Sequence, residues 1–452
     1  MAALGNWCTR FCIAEPVFAK RNLKRSAWGV GLAVLLMTQA AAQGQAASQA
    51  GVAPTPLPPV SAPSPDVASG ARGSPATSAR PWIAIPRLTG RLTAADVGLV
   101  INTADPDSVA VGRHYIAARK LKPAQVLRLQ LPIKPTLTPE EFEVLRQAIQ
   151  RRFGPATQAL ALAWTVPYAV DCNAITGALA LGFDPELCRN GCGASRSSRY
   201  FNAATDRPMA LLGWRPAMLL AAPSVEAARA MIDRGVASDG QLAQRGRPPV
   251  SAMLLQTDDA ARSVRRVLYP EPGLRRAVGV DVQVVPAAEL ANAKRVVMVS
   301  TGSVFPTLQP RPDWVPGGLG DHLTSFGGDL LGAHGQGTAL DWIASGATAS
   351  HGSVSEPCNH LQKFPHPQVL LGHYVQGATA IEAYWKSVAW PQQSLFIGEP
   401  LAAPFSPRLV ATSPVQSPPV QSPPVQPALV QPPPVQPPLE EPPSAPPQSV
   451  TP

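Results

Sequence analysis

Two periods of apolar residues alternate along the middle of this chain. Residues 97–101 (VGLVI) are a continuous apolar run, the pattern of a strand buried on both faces. Residues 105–108 (DPDS) follow, with proline at an early helical position, and Val109, Tyr115 and Ile116 mark one face of the helix they open. Residues 126–131 predict the next strand. Residues 138–141 (TPEE) form a capping box with proline at the first position, and Phe142, Leu145 and Ile149 supply the apolar face. A near-continuous apolar strand spans 159–166. The pattern returns with a strand at 215–220 and a helix capped by Ser224 that carries Ala228, Met231 and Ile232. A strand at 251–256 leads to a helix begun by Thr257, Asp258 and Asp259, with Ala260, Val264, Val267 and Leu268 on one face. Residues 295–300 (RVVMVS) are another buried strand. Strands alternating with helices predict a mainly parallel sheet with helices on both faces, an α/β three-layer sandwich.

Two stretches break the rhythm. Residues 167–206 read as a long irregular insertion holding three cysteines, with Arg196, Arg199, Tyr200, Asn202 and Asp206. Long loops inside a compact domain are usually functional. Residues 310–337 are glycine-rich and read as a loop folding over the sheet edge.

The final stretch, 340–405, is the most specific. A short helix over 338–343 stops at Gly346. Residues 346–352 (GATASHG) are too small-sided for an ordinary core strand, and predict one in the middle of the sheet, closely covered by helices. A polar loop, 355–360 (SEPCNH), follows. Val369, Leu370, Tyr374 and Val375 mark one helix. Ile381, Tyr384, Trp385 and Val388 mark a second, at spacings i, i+3, i+4 and i+7. Residues 395–398 close the fold as a buried strand.

Composition sets the ends apart. Residues 1–42 read as an export signal: Lys20, Arg21, Lys24 and Arg25, then an apolar run from Ala27 to Met37, then Ala40, Ala41 and Ala42. The apolar run is shorter than the ~20 residues of a membrane span, and an uncleaved anchor is the alternative. No cysteine follows that run, against a lipoprotein anchor. Residues 43–80 and the tail 406–452 are rich in Pro, Ala, Ser and Gln, predicting disordered segments. The tail repeats Pro-Val-Gln at 414, 419, 424 and 434, a polyproline II spacer. The core is then 81–405.

The formal charge is +9. The leader holds five basic residues against Glu15, leaving +5 for the rest. No Lys/Arg run with interleaved aromatics occurs, so nucleic acid is not an expected partner. The expected partner is a cell-envelope polymer or protein, with membrane contact only through an uncleaved leader. No cofactor is expected.

Cys172, Cys188, Cys192 and Cys358 remain after the leader. An even count in an exported chain predicts two disulfides with three possible connectivities. One pairs Cys188 with Cys192 and leaves Cys172 with Cys358; a free Cys358 thiol is the rival. Five of the seven histidines lie between His334 and His373, around Cys358. A Cys358 thiol with His351 or His360 has the makings of a nucleophile–base pair. Zinc ligation by His351, Glu356, Cys358, His360 and His366 is a weaker reading, because the spacing matches no established pattern. Asp321 and His322 with Ser325 or Ser353 are hydrolase parts without a G-x-S-x-G elbow.

Residues 164–172 (WTVPYAVDC), 200–202, 321–328 (DHLTSFGG), 350–358 and 362–367 resemble a family of exported bacterial proteins without an assigned activity. That resemblance covers nearly the whole core and implies a secreted or periplasmic location. Arg215-Pro216 with 224–233, then Gly346-Ala347, 376–379 and 398–401, are more distantly similar to gingipain-type, caspase-like cysteine peptidases. This implies a caspase-like fold. Those peptidases carry a His-Gly at the end of one strand and a Cys at the end of the next. Here the first position reads Ser300-Thr301-Gly302, and the second, in 321–328, has no cysteine. The expected site therefore lies where the 167–206 insertion, the 320–328 loop and the 350–366 loop meet. Its expected parts are Cys358, His360, His322 and Asp171, as a rearranged hydrolase or peptidase site. The alternative is a non-catalytic envelope-binding protein.

Overall fold

The computed structural model describes residues 82–244 and 246–407. The expected leader, the linker before residue 82 and the proline-rich segment after 407 lie outside the described residues.

Strand β1 (Val97–Asn102) is buried along its whole length. Helix α1 (Pro106–Arg119) follows, capped by Asp105, whose carboxylate accepts from the Asp107 amide. Strand β2 (Val126–Leu129) and the short β3 (Thr136–Leu137) lead to α2 (Pro139–Arg152), which starts with the expected Thr138/Glu141 capping box. Strand β4 (Ala159–Leu162) is fully buried.

The insertion is more ordered than its sequence implies. Strands β5 (Ala169–Val170) and β6 (Asn173–Ala174) join β3 in a small three-stranded sheet, and α3 (Ile175–Leu181) and α4 (Glu186–Arg189) follow. Helix α3 packs its small side chains against the sheet; Thr176 Oγ1 donates to Ser394 O at 2.6 Å. Tertiary burial thus orders a stretch whose local pattern reads as irregular.

Helix α5 (Pro208–Leu212) precedes β7 (Ala217–Leu219) and α6 (Val225–Ser238), capped by Ser224. Strand β8 (Val250–Gln256) matches expectation. The helix expected from residue 257 is instead a 3-10 turn over Ser263–Leu268. The Asp259 carboxylate takes both the Arg262 amide and the Arg262 guanidinium, closing a tight turn where a helix would open. Strands β9 (Gly273–Arg275) and β10 (Val280–Pro286) follow without a sequence expectation, then β11 (Val296–Gly302).

The largest departure is β12 (Trp314–Leu323), a ten-residue strand inside the glycine-rich stretch read as a loop. Its glycines make room for indoles. A Cβ on Gly320 would run into the Trp342 ring, so close packing accounts for a residue that propensity would place in a turn. Helix α7 (Ala339–Ser345) ends at Gly346 in the left-handed region, as expected. Strand β13 (Ala349–Ser353), helices α8 (Pro367–Val375) and α9 (Ala380–Ser387) and strand β14 (Ser394–Gly398) complete the order.

The main sheet has eleven strands in the order β2-β1-β4-β7-β14-β13-β12-β11-β8-β10-β9. It is mainly parallel, with β13–β14 and β9–β10 antiparallel. The architecture is the expected α/β sandwich. The small-sided β13 does lie mid-sheet, between β12 and β14. Among the described residues no helix is long and apolar enough to cross a membrane.

Candidate functional site

The three expected segments meet through backbone and sulfur. Gly328 N donates to Ser353 O at 2.7 Å, joining the loop after β12 to the end of β13. Ser355 Oγ donates to Cys172 O and Lys363 Nζ to Gly191 O, both at 2.6 Å, tying the insertion to the loop after β13. Two disulfides finish the clamp: Cys172–Cys188 and Cys192–Cys358, with Cα separations of 5.1 and 5.2 Å. The Cys188–Cys192 pairing considered from sequence does not occur. The end of α4 and the turn at Asn190–Gly193 stand between those two residues, and each sulfur has another partner. Disulfides fit an oxidising, non-cytoplasmic compartment.

The four side chains named from sequence do not form one constellation. Cys358 is joined to Cys192, so its sulfur is no thiolate and no nucleophile in this state. Its backbone is left-handed, and its amide donates to Glu356 Oε1 at 2.7 Å. His360 is exposed, its ring 6.1 Å from that of Trp390. Asp171 is exposed and also left-handed. His322 is fully buried on β12. Its Nδ1 accepts from Trp342 Nε1 at 2.9 Å and its Nε2 donates to Gly337 O at 3.0 Å. Burial foremost, with the charges of Arg265 and Arg262, depresses its pKa to about 4 against the hydrogen bond to Gly337. It is a neutral imidazole with both nitrogens committed. Among the described residues no hydrogen bond links any two of these four.

Asp321, beside His322 on β12, is held in a sealed ion pair. Arg265, 1 % exposed, reaches Asp321 Oδ2 at 2.5 Å, Thr301 O at 2.8 Å and Pro365 O at 3.2 Å. Burial raises the Asp321 carboxyl while Arg265 opposes the rise. His351 is also enclosed; its Nε2 donates to Ser394 Oγ at 3.0 Å, since that hydroxyl gives its own hydrogen to Lys363 O. Among the described residues no three His, Cys, Asp or Glu side chains gather as metal ligands.

What the sequence reading missed stands on the same rim. Tyr168, at the start of the insertion, donates its phenol to Asp329 Oδ1 at 2.6 Å. His334 Nδ1 donates to Asp329 Oδ2 at 2.7 Å, and the His334 amide reaches that oxygen at 3.2 Å. The Phe326 ring lies flat on the imidazole, centroids 3.7 Å apart and planes within 2°. Asp329 is 3 % exposed, while the His334 side chain is 48 % exposed. Burial pushes the Asp329 carboxyl up, but the hydrogen bonds from Tyr168 and His334 outweigh it and hold the group below its ordinary value. Burial and the adjacent carboxylate raise the Tyr168 phenol. With Nδ1 on the carboxylate, Nε2 of this half-exposed ring has no hydrogen-bond partner among the described residues.

A cleft of about 460 Å³ lies elsewhere along the strand ends, and Tyr168, Asp329 and His334 are not among its lining residues. Trp164 and Thr165 beyond β4, Leu220 and Ser224 beyond β7, and Leu330 and Leu331 line it. The two leucines directly follow Asp329. The sequence did carry a signal: Asp329 and His334 sit five apart in a run bracketed by Gly328, Gly332 and Gly335. Comparison with family models, curated protein sequences and solved structures gives no match.

Proposed function

We propose that this chain is a hydrolase of the periplasm or extracellular space, in which His334 acts as general base toward a water molecule. Asp329 holds the Nδ1 tautomer and balances the imidazolium that forms; Tyr168 fixes Asp329 as a positioning residue. The observation that carries the reading is the Tyr168–Asp329–His334 chain of hydrogen bonds ending in a half-exposed imidazole. Such a base accelerates proton transfer by about 10²–10⁴-fold.

A small activated ester, p-nitrophenyl acetate, is the probe. His334→Ala is expected to lower its hydrolysis by about a hundredfold, with the fold unchanged by circular dichroism. Equal rates in the two proteins would remove His334 from the reaction. The second reading is an envelope-binding protein without catalysis. It is favoured by the Cys358 sulfur lying in a disulfide and by both His322 nitrogens being committed. Retained binding to purified cell-wall sacculi by an ester-inactive wild type would support it.

A further inference from the structure

A second surface, apart from the rim, has the features of a docking site. An apolar groove of about 180 Å³ is lined by Trp82, Ile83, Ile85, Val280 and Leu371, with Arg275 among them. Trp82 is 64 % exposed. An adjoining depression of about 360 Å³ shares Val278 and Val375 with the groove, and adds Arg247, Arg276 and Phe405. Arg275 bonds to the Glu271 carbonyl and Arg247 to the Gln244 amide oxygen, both neutral acceptors. The surface is thus apolar and aromatic on one side and cationic on the other.

We propose that this groove binds the proline-rich segment of the same chain, residues 408–452. Exposed indoles set in apolar grooves recognise proline-rich peptides, whose restricted backbones lose little entropy on binding. The segment repeats Pro-Val-Gln and Pro-Pro, and its two acidic residues, Glu440 and Glu441, are adjacent. They match the arginines in sign. The tether starts close by: Phe405 lines the depression, so the segment leaves the described fold beside its own site. Tethering gives an effective concentration on the order of mM, enough for a weak contact to fill.

The test uses the full chain with photoreactive benzoylphenylalanine in place of Trp82. Illumination is expected to give adducts within one chain, in peptides around residues 428–445. Arg275→Glu with Arg276→Glu, both exposed positions, should cut that yield severalfold, and Glu440→Arg with Glu441→Arg in the same chain should restore it. Adducts to residues before 82, adducts to a second copy, absence of adducts in 408–452, or a yield indifferent to the charge reversals would each overturn the proposal.

Discussion

Two histidines twelve positions apart have opposite fates. His322 is enclosed with both nitrogens bonded inside the protein; the His334 side chain is half-exposed and shares one nitrogen with a buried carboxylate. The first should matter for stability and the second for chemistry. His322→Ala strands the Trp342 indole N–H and the Gly337 carbonyl, and opens a cavity. The expected loss is about 2–4 kcal/mol in urea unfolding, with no direct effect on the reacting groups. Tyr168→Phe removes one of the hydrogen bonds that hold Asp329 low, so Asp329 takes up its proton more readily. The acid limb of the ester pH–rate profile should therefore move to higher pH. An unshifted profile would make Tyr168 a packing residue only.

The helices with strong caps and most buried strands were legible because their signals are local: the Thr138/Glu141 box, the Asp105 and Ser224 caps, the apolar run of β1; the short α3, α4 and α5 were not. Strand β12 was not, since its glycines serve distant rings: Gly320 yields to Trp342, twenty-two residues on. Gly320→Ala is accordingly expected to cost more than the ~1 kcal/mol of ordinary overpacking, read as a lowered unfolding midpoint. The rim was located in outline, because the insertion and the loops after β12 and β13 do meet. The Tyr168–Asp329 contact on that rim was not legible, because it spans 161 residues and leaves no periodic trace. The disulfides also differ in reach. Cys192–Cys358 spans 166 residues and Cys172–Cys188 only 16. In the chain-entropy account, removing the long bridge costs about 5 kcal/mol and the short one about 3. Cys192→Ser with Cys358→Ser should lower stability more than Cys172→Ser with Cys188→Ser; the reverse order would show that the long bridge constrains the unfolded chain little.

Enclosed neutral imidazoles give the described fold one source of acid sensitivity. Burial holds His322, His366 and His373 at about 4, below the ordinary value of 6.5. Between those values the unfolded chain binds more protons than the folded one, so the contribution of these rings to stability falls as pH drops from 6.5 toward 4 and is constant above 6.5. For the fully enclosed His322 alone the loss is roughly 3 kcal/mol. The urea midpoint should fall steadily over this window; a midpoint independent of pH would mean these rings are protonated in the fold. The proposed function rests on His334 as the reacting ring, and its most direct trial is the p-nitrophenyl acetate rate of the purified protein, disulfides intact, against His334→Ala and Asp329→Asn. The account predicts a fall of about a hundredfold for the first and a smaller but clear fall for the second. Rates within about twofold of wild type in both variants would contradict it.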